Sequence, residues 1–369
     1  MLNISEFSLL LHVVFWGMGD FMKNKTVREV IESGKYGVFA DYFWSFITDD
    51  HLNNTLDAYG YEATGMELGL KRCALLAESD GKNGASYMHY IYSRQEIYKV
   101  HELQEAKLFF FPAKSDAENK NNSNSNDVFS SDNPPFALVI PGGGFARQWT
   151  LIEGFSIAAK LNELGLSTFV LLYRTSQRGV IHKALEDMYK AVSFIQNNAE
   201  KFGVSRDRYI LGGFSAGATL AGEMASDNLG WKANNLPQPE MIFLGYPAHK
   251  MDLFYKIWDE SPEGSQARLG VSDFLQRLCP GQINYDSVSP FILEQHLSKD
   301  ICPPLYITAN EDDPVVPVVN SKSLYQTCLD KDIPVKSKIG KTGGHSYGLG
   351  IGLEVDGWLD EAIEFWTRV

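Results

Sequence analysis

The spacing of apolar and polar positions changes period along the chain, and each change marks an element. VREVIESG (27–34) and GMELGLKRCALLAESDG (65–81) carry apolar residues at helical spacing and end at glycines, which predicts a helical, irregular segment over 26–85. Alternation begins near Ser86: YMHYIYS and then LFFFPA (108–113) read as the first two strands of a sheet. From Phe136 the pattern becomes regular. FALVI, STFVLLYR, RYILGGF, EMIFLGYPA and PLYITA are short apolar runs, and VKSKIG reads as a further short strand. Between them lie longer amphipathic stretches, such as HKALEDMYKAVSFIQNNAEKF with Ala184, Met188, Val192 and Ile195 on one face. Strands that are apolar on both faces and alternate with helices predict a mostly parallel sheet covered by helices. The segment 248–304 is longer than a crossover needs and predicts a cap-like insertion, giving a main domain over 86–369. Residues 114–135, KSDAENKNNSNSNDVFSSDNPP, have almost no apolar content and read as a mobile surface loop.

Composition narrows the picture. A chain of 369 residues with 44% hydrophobic content is enough for one large domain with a full core, or for one domain plus an appendage. A net charge of −13 makes nucleic acid and anionic membranes poor partners. Cys73, Cys279, Cys302 and Cys328 are widely spaced with no CxxC pair, so no metal site or cofactor is expected and buried thiols are. Phe7 to Phe21 is apolar but too short and interrupted to span a bilayer, and it lacks the basic start and A-x-A end of a secretory signal. The expectation is a cytoplasmic protein, with residues 1–25 as an extension of uncertain status and a degenerate export signal in 1–21 as the alternative. Nothing in the sequence sets the oligomeric state.

Four segments carry chemistry. Gly213-Phe214-Ser215-Ala216-Gly217 fits G-x-S-x-G between an apolar strand and a helix rich in small residues. That context suits a serine held on a sharp strand-to-helix turn with its hydroxyl above the sheet. A serine hydroxyl needs a base. Of the eight histidines, His345 alone follows the acidic cluster at 311–313, in a Gly-Gly-His-Ser loop that can bend over the sheet. The acid that orients the base lies among Glu311, Asp312 and Asp313, and Pro314 weakly favours Asp313 by stiffening the next turn. Pro141-Gly142-Gly143-Gly144-Phe145 follows the strand FALVI and lacks the spacing of a nucleotide-binding loop. Its glycines free backbone N–H groups to face an oxyanion, with the Ala216 N–H as a second source.

PGGGF, GFSAG, DDPVVP and GGHSYGL together resemble the α/β-hydrolase serine esterases of the acetyl-esterase, acetylxylan-esterase and hormone-sensitive-lipase-like group, from about Phe136 to the C-terminus. The resemblance implies Ser215 as nucleophile, Asp313 as acid, His345 as base, and Gly143, Gly144 and Ala216 as oxyanion donors. It departs at Pro141, where many relatives carry His. Phe145, Arg147, Trp149 and Phe214 are substrate-pocket candidates, and Trp258 a candidate sugar platform, while Arg174 reads as a structural ion-pair partner. The implied activity is hydrolysis of short-chain acyl esters, small-molecule or carbohydrate, without a cofactor. A peptidase or acyltransferase using the same residues, or a non-catalytic ligand-binding protein on the same fold, are the alternatives.

Overall fold

The computed structural model describes residues 24–44, 49–59, 62–113 and 133–369. The apolar segment 7–21 and the polar stretch 114–132 lie outside the described residues.

Among the described residues, eight strands form one sheet: β1 (Met88–Tyr90), β2 (Lys107–Phe111), β3 (Phe136–Ile140), β4 (Ser167–Leu172), β5 (Tyr209–Phe214), β6 (Met241–Gly245), β7 (Leu305–Asn310) and β8 (Val335–Gly340). Their order is β1-β2-β4-β3-β5-β6-β7-β8. Pairing is parallel from β4 to β8 and antiparallel for β1 with β2 and β2 with β4. The strand–helix alternation predicts this parallel core. β3, β4, β5, β6 and β7 are buried along their whole length, which is why their sequences run apolar without alternation. β1 is shorter than the run YMHYIYS suggests. Ser93 caps the helix Arg94–Lys99, taking the Glu96 N–H and receiving the Glu96 carboxylate on its own, so the chain turns away from the sheet.

The main helices are α1 (Glu62–Ser79), α2 (Ser156–Glu163), α3 (Val180–Asn197), α4 (Ala216–Glu223), α5 (Met251–Glu260), α6 (Gln266–Leu278), α7 (Val319–Asp330) and α8 (Trp358–Trp366). They cover both faces of the sheet and divide the interior into two apolar layers. α3 turns Ala184, Met188, Val192 and Ile195 into one layer, as its spacing predicts. The N-terminal segment closes the other. Phe39 packs on Phe109, Phe111 and Phe155 with ring centroids 5.4 to 5.6 Å apart. α1 lies so close to α2 that a Cβ on Gly69 would stand 2.7 Å from Ser156 Oγ. The chain after Ala248 forms α5 and α6 at the carboxyl edge of the sheet. The strand order reverses at β3, so the loops after β3 and β5 open on opposite sides of a crevice, which is where open α/β sheets bind ligands.

Candidate active site

β5 ends at Phe214, and Ser215 makes the turn into α4 with φ 51° and ψ −120°. A side chain in that region is strained by roughly 1–3 kcal/mol. Main-chain packing holds it there: Ser215 N–H donates to Gly245 O at 2.9 Å, and its carbonyl accepts from Thr219 N–H at 3.1 Å. The glycines on either side are required by space. A Cβ on Gly213 would lie 2.2 Å from Gly217 O, and one on Gly217 would lie 2.2 Å from Ile140 O.

The partners come from the next strands. The loop after β8 carries His345 back across the sheet edge, with Nε2 2.9 Å from Ser215 Oγ. On its far side Nδ1 lies 2.6 Å from Asp313 Oδ2. The other Asp313 oxygen accepts the N–H groups of Val315 and Val316, both at 2.8 Å. Its neighbours do different work. Asp312 accepts from Gly343 and Gly344 N–H at 3.1 and 2.8 Å, pinning the histidine loop, and Glu311 pairs with Lys322 at the surface. Pro314 thus sits where the turn must bring two amides onto one carboxylate oxygen.

Opposite Ser215 lies the glycine loop. A Cβ on Gly142 would come within 2.7 Å of Ser215 Cβ, so only glycine lets the loop lie against the serine. Gly143 and Gly144 take φ 131° and 63°. Among the described residues, the backbone N–H groups of Gly143, Gly144 and Ala216 have no hydrogen-bond partner, and all three belong to segments that meet at Ser215. Behind the loop is a residue that no sequence motif marks. Glu153, wholly buried in the π-helical turn Leu151–Phe155, accepts Gly142 N–H at 2.7 Å and Tyr246 O–H at 2.8 Å. Burial pushes its carboxyl above the usual carboxylate range, against the pull of His345 and these donors. Its only signal in the sequence is an acid inside the apolar run Leu151-Ile152-Glu153-Gly154-Phe155.

A family model described as alpha/beta hydrolase fold matches residues 139–348, more than half of the chain. The chain belongs to this family. As an α/β hydrolase it is 30% identical over 230 residues to an endo-1,4-beta-xylanase B of Butyrivibrio fibrisolvens, a match covering 60% of this chain and 34% of that one. It is 22% identical over 243 residues to an acetylxylan esterase of Xylanibacter ruminicola, covering 65% of this chain and 47% of that one. The hydrolase therefore spans a third to a half of the length of these relatives. Among solved structures it resembles an acetyl ester-xyloside bifunctional hydrolase from Caldicellulosiruptor lactoaceticus, with TM-score 0.58 and 21% identity over 76% of this chain and 95% of that one. A carboxylesterase from Lactobacillus plantarum matches with TM-score 0.53 and 21% identity over 71% and 92%. Both structural likenesses concern the fold.

A cavity of about 670 Å³ opens over Ser215 and His345 in this hydrolase, walled by the glycine loop, Val315 and the helices α5 and α6. Arg147 and Trp149 line it, the guanidinium 5.7 Å from the indole centroid. Phe145 and Phe214 do not, which corrects the sequence expectation. Phe145 has φ 57° and is turned beneath the loop, stacked on Phe274 at 5.8 Å. Phe214, the last residue of β5, packs on the far side of the sheet against Phe243, Tyr246 and Trp358. Trp258 lies under the Arg268 guanidinium, 4.4 Å from its centroid, outside the cavity lining. Arg174 is the buried hub of ion pairs with Asp187 and Glu186 at 2.8 and 2.7 Å. All four cysteines are buried free thiols. No helix among the described residues is long and apolar enough to cross a membrane.

Proposed function

We propose that the chain is a serine carboxylesterase that hydrolyses short acyl esters, with acetylated carbohydrates as its substrate class. The observation that carries the reading is the relay of Ser215, His345 and Asp313, spaced 2.9 and 2.6 Å apart on a strained turn. Ser215 Oγ attacks the ester carbonyl while His345 Nε2 takes its proton. Asp313 holds the ring with Nδ1–H toward the carboxylate and stabilises the imidazolium. The tetrahedral oxyanion is received by the N–H groups of Gly143, Gly144 and Ala216, which have no other partner among the described residues. His345 returns the proton to the leaving alcohol, and a water activated by the same ring then hydrolyses the acyl-enzyme, so the step needs no cofactor. The reading of the substrate draws support from the relatives named as acetylxylan esterase and xylanase. It draws further support from the mixed lining of the cavity, in which the polar groups of Arg147, Asp273 and Arg277 stand beside Trp149 and suit a hydroxyl-bearing alcohol. A cytoplasmic site of action is part of the proposal.

The test is an ester panel from acetyl to palmitoyl, with Ser215→Ala and fluorophosphonate labelling as controls. Wild type is expected to peak at acetyl to butyryl, and Ser215→Ala to lose labelling and nearly all turnover while staying folded. Turnover by Ser215→Ala within a few-fold of wild type would overturn the mechanism. A maximum at octanoyl or beyond would overturn the substrate class.

A further inference from the structure

The site described so far does not use its most buried ionisable group. Glu153 lies between the glycine loop and the histidine loop and is bonded to the supports of both. One oxygen takes the N–H of Gly142, the residue that places the peptide of Gly143. The other takes the hydroxyl of Tyr246, whose oxygen in turn accepts Gly348 N–H at 3.3 Å, three residues beyond His345. The Tyr246 ring meets the imidazole edge to face, centroids 4.7 Å apart. Tyr246 is itself held at φ 37°, with its N–H donating to Thr308 O at 2.6 Å, so the phenol has little freedom to move away. The ionisable groups that face Glu153 are His345 from the loop after β8, Tyr246 from the end of β6 and Tyr173 beyond β4; the Ser346 hydroxyl lies beside it as well.

Resting on the esterase reading, we propose that Glu153 is a positioning residue. Through Gly142 on one side and Tyr246 on the other, it keeps the oxyanion donors and the His345 ring in a single register, and its carboxylate supports the imidazolium formed during acylation. The donors around it fit the ionised form: a backbone N–H and a phenol O–H both point at it, and a neutral carboxyl would waste one of them. Substrate does not touch it. Its removal therefore acts on the transition state, where the oxyanion and imidazolium exist, and leaves ground-state binding alone.

The experiment compares Glu153→Gln, Glu153→Ala and Tyr246→Phe with wild type on p-nitrophenyl acetate, with Ser215→Ala alongside. Glu153→Gln keeps an acceptor for Gly142 N–H and loses the charge. Its kcat is expected to fall about tenfold with KM within about threefold. The acid limb of its kcat/KM profile is expected to move to lower pH, because the imidazolium has lost a neighbouring negative charge. Glu153→Ala loses the acceptor too and is expected to fall about 100-fold in kcat. A structural role alone would lower the melting temperature and leave the acid limb in place. If Glu153→Ala does not fold, Glu153→Gln and Tyr246→Phe decide. A kcat within twofold of wild type for both, with the acid limb unmoved, overturns the proposal. Ester turnover by Ser215→Ala would instead overturn the esterase reading on which it rests.

Discussion

Asp313→Asn is the sharpest perturbation of the proposed relay, because the structure constrains how the amide can sit. The wild-type carboxylate has its two oxygens committed: one to the N–H groups of Val315 and Val316, the other to His345 Nδ1. Asparagine offers one acceptor oxygen and, in place of the other oxygen, a donor NH₂. With its oxygen kept on the two backbone amides, its NH₂ faces Nδ1. The imidazole must then carry its proton on Nε2, where it cannot accept the Ser215 hydroxyl proton. Flipping the amide restores the tautomer but sets the NH₂ against two N–H donors. Losing those two bonds costs about 2–4 kcal/mol, so the competent rotamer is populated at roughly 1 part in 30 to 1 in 1,000. The surviving rotamer also lacks the charge that stabilises the imidazolium. The combined loss in kcat/KM is expected to be about 10³- to 10⁴-fold. Folding should be little affected, since the backbone hydrogen bonds to residue 313 survive. The assay is kcat/KM on p-nitrophenyl acetate at pH 8, normalised by fluorophosphonate titration of Ser215, with thermal denaturation as control. A loss under tenfold in a variant of unchanged melting temperature would refute the tautomer argument and the role assigned to Asp313.

Two further perturbations test the frame around the site. Glu223, at the end of α4, is fully buried with only the Ser226 hydroxyl near its carboxyl among the described residues, and burial pushes it up to about 8. It is neutral in the fold and ionised in the unfolded chain between about pH 4.5 and 8, so its contribution is complete below that window and lost as pH rises through it. Glu223→Gln should therefore stabilise the protein by a few kcal/mol at pH 8 and by almost nothing near pH 4.5 in denaturant titrations, and an equal effect at both pH values would contradict this. Phe145→Ala should cost about 3–5 kcal/mol of stability, because its ring fills the space between Tyr173 and Phe274. Its preference among acyl lengths should be unchanged, and a shift toward longer acyl groups would return Phe145 to the pocket wall.

Much of the fold is legible because the parallel strands β3 to β7 are buried on both faces and so appear as unbroken apolar runs between glycine or turn residues, while the half-exposed β8, VKSKIG, is marked only by its short alternation. The exception is Tyr87–Ser93, where alternation suggests a longer strand and the Ser93 capping box ends it early. The site was legible where chemistry restricts sequence. G-x-S-x-G is forced by two backbone contacts, and the histidine is singled out by its place after the acidic cluster. The choice among Glu311, Asp312 and Asp313 was carried by the resemblance, since three adjacent carboxylates differ only in which way the turn points them. Phe145 and Phe214 were misplaced for a related reason. Adjacency to a site residue in the chain says nothing about direction, and both Phe145, at φ 57°, and Phe214, the strand residue before the turn, face away. Glu153 and Tyr246 could not have been found by spacing. They meet from segments 93 residues apart, and each is a single polar group in an apolar run.

The packing explains why so few side chains need to be specified. Ser215 is strained by a backbone conformation that its own chemistry does not favour, and the strain is offset by main-chain contacts. Its N–H reaches Gly245 O on β6, its carbonyl anchors the first turn of α4, and Thr219 on that turn donates to Ala248 O at 2.5 Å. Each bond contributes about 1 kcal/mol, comparable in sum with the roughly 1–3 kcal/mol of strain. Gly142, Gly213, Gly217 and Gly245 all stand where a Cβ would come within 2.4 Å of a neighbouring atom. At Gly142, Gly213 and Gly217 that atom is backbone, which cannot move without displacing a strand; at Gly245 it is the Phe214 ring, already packed against Trp358. Alanine at Gly213 or Gly217 would therefore strike the turn before it struck any substrate. The distance from Ser215 Oγ to the N–H groups left unpartnered among the described residues is in this way set by how three strand ends stack, and in the proposed mechanism the side chains of Ser215, His345 and Asp313 add proton transfer to a geometry that the glycines have already fixed.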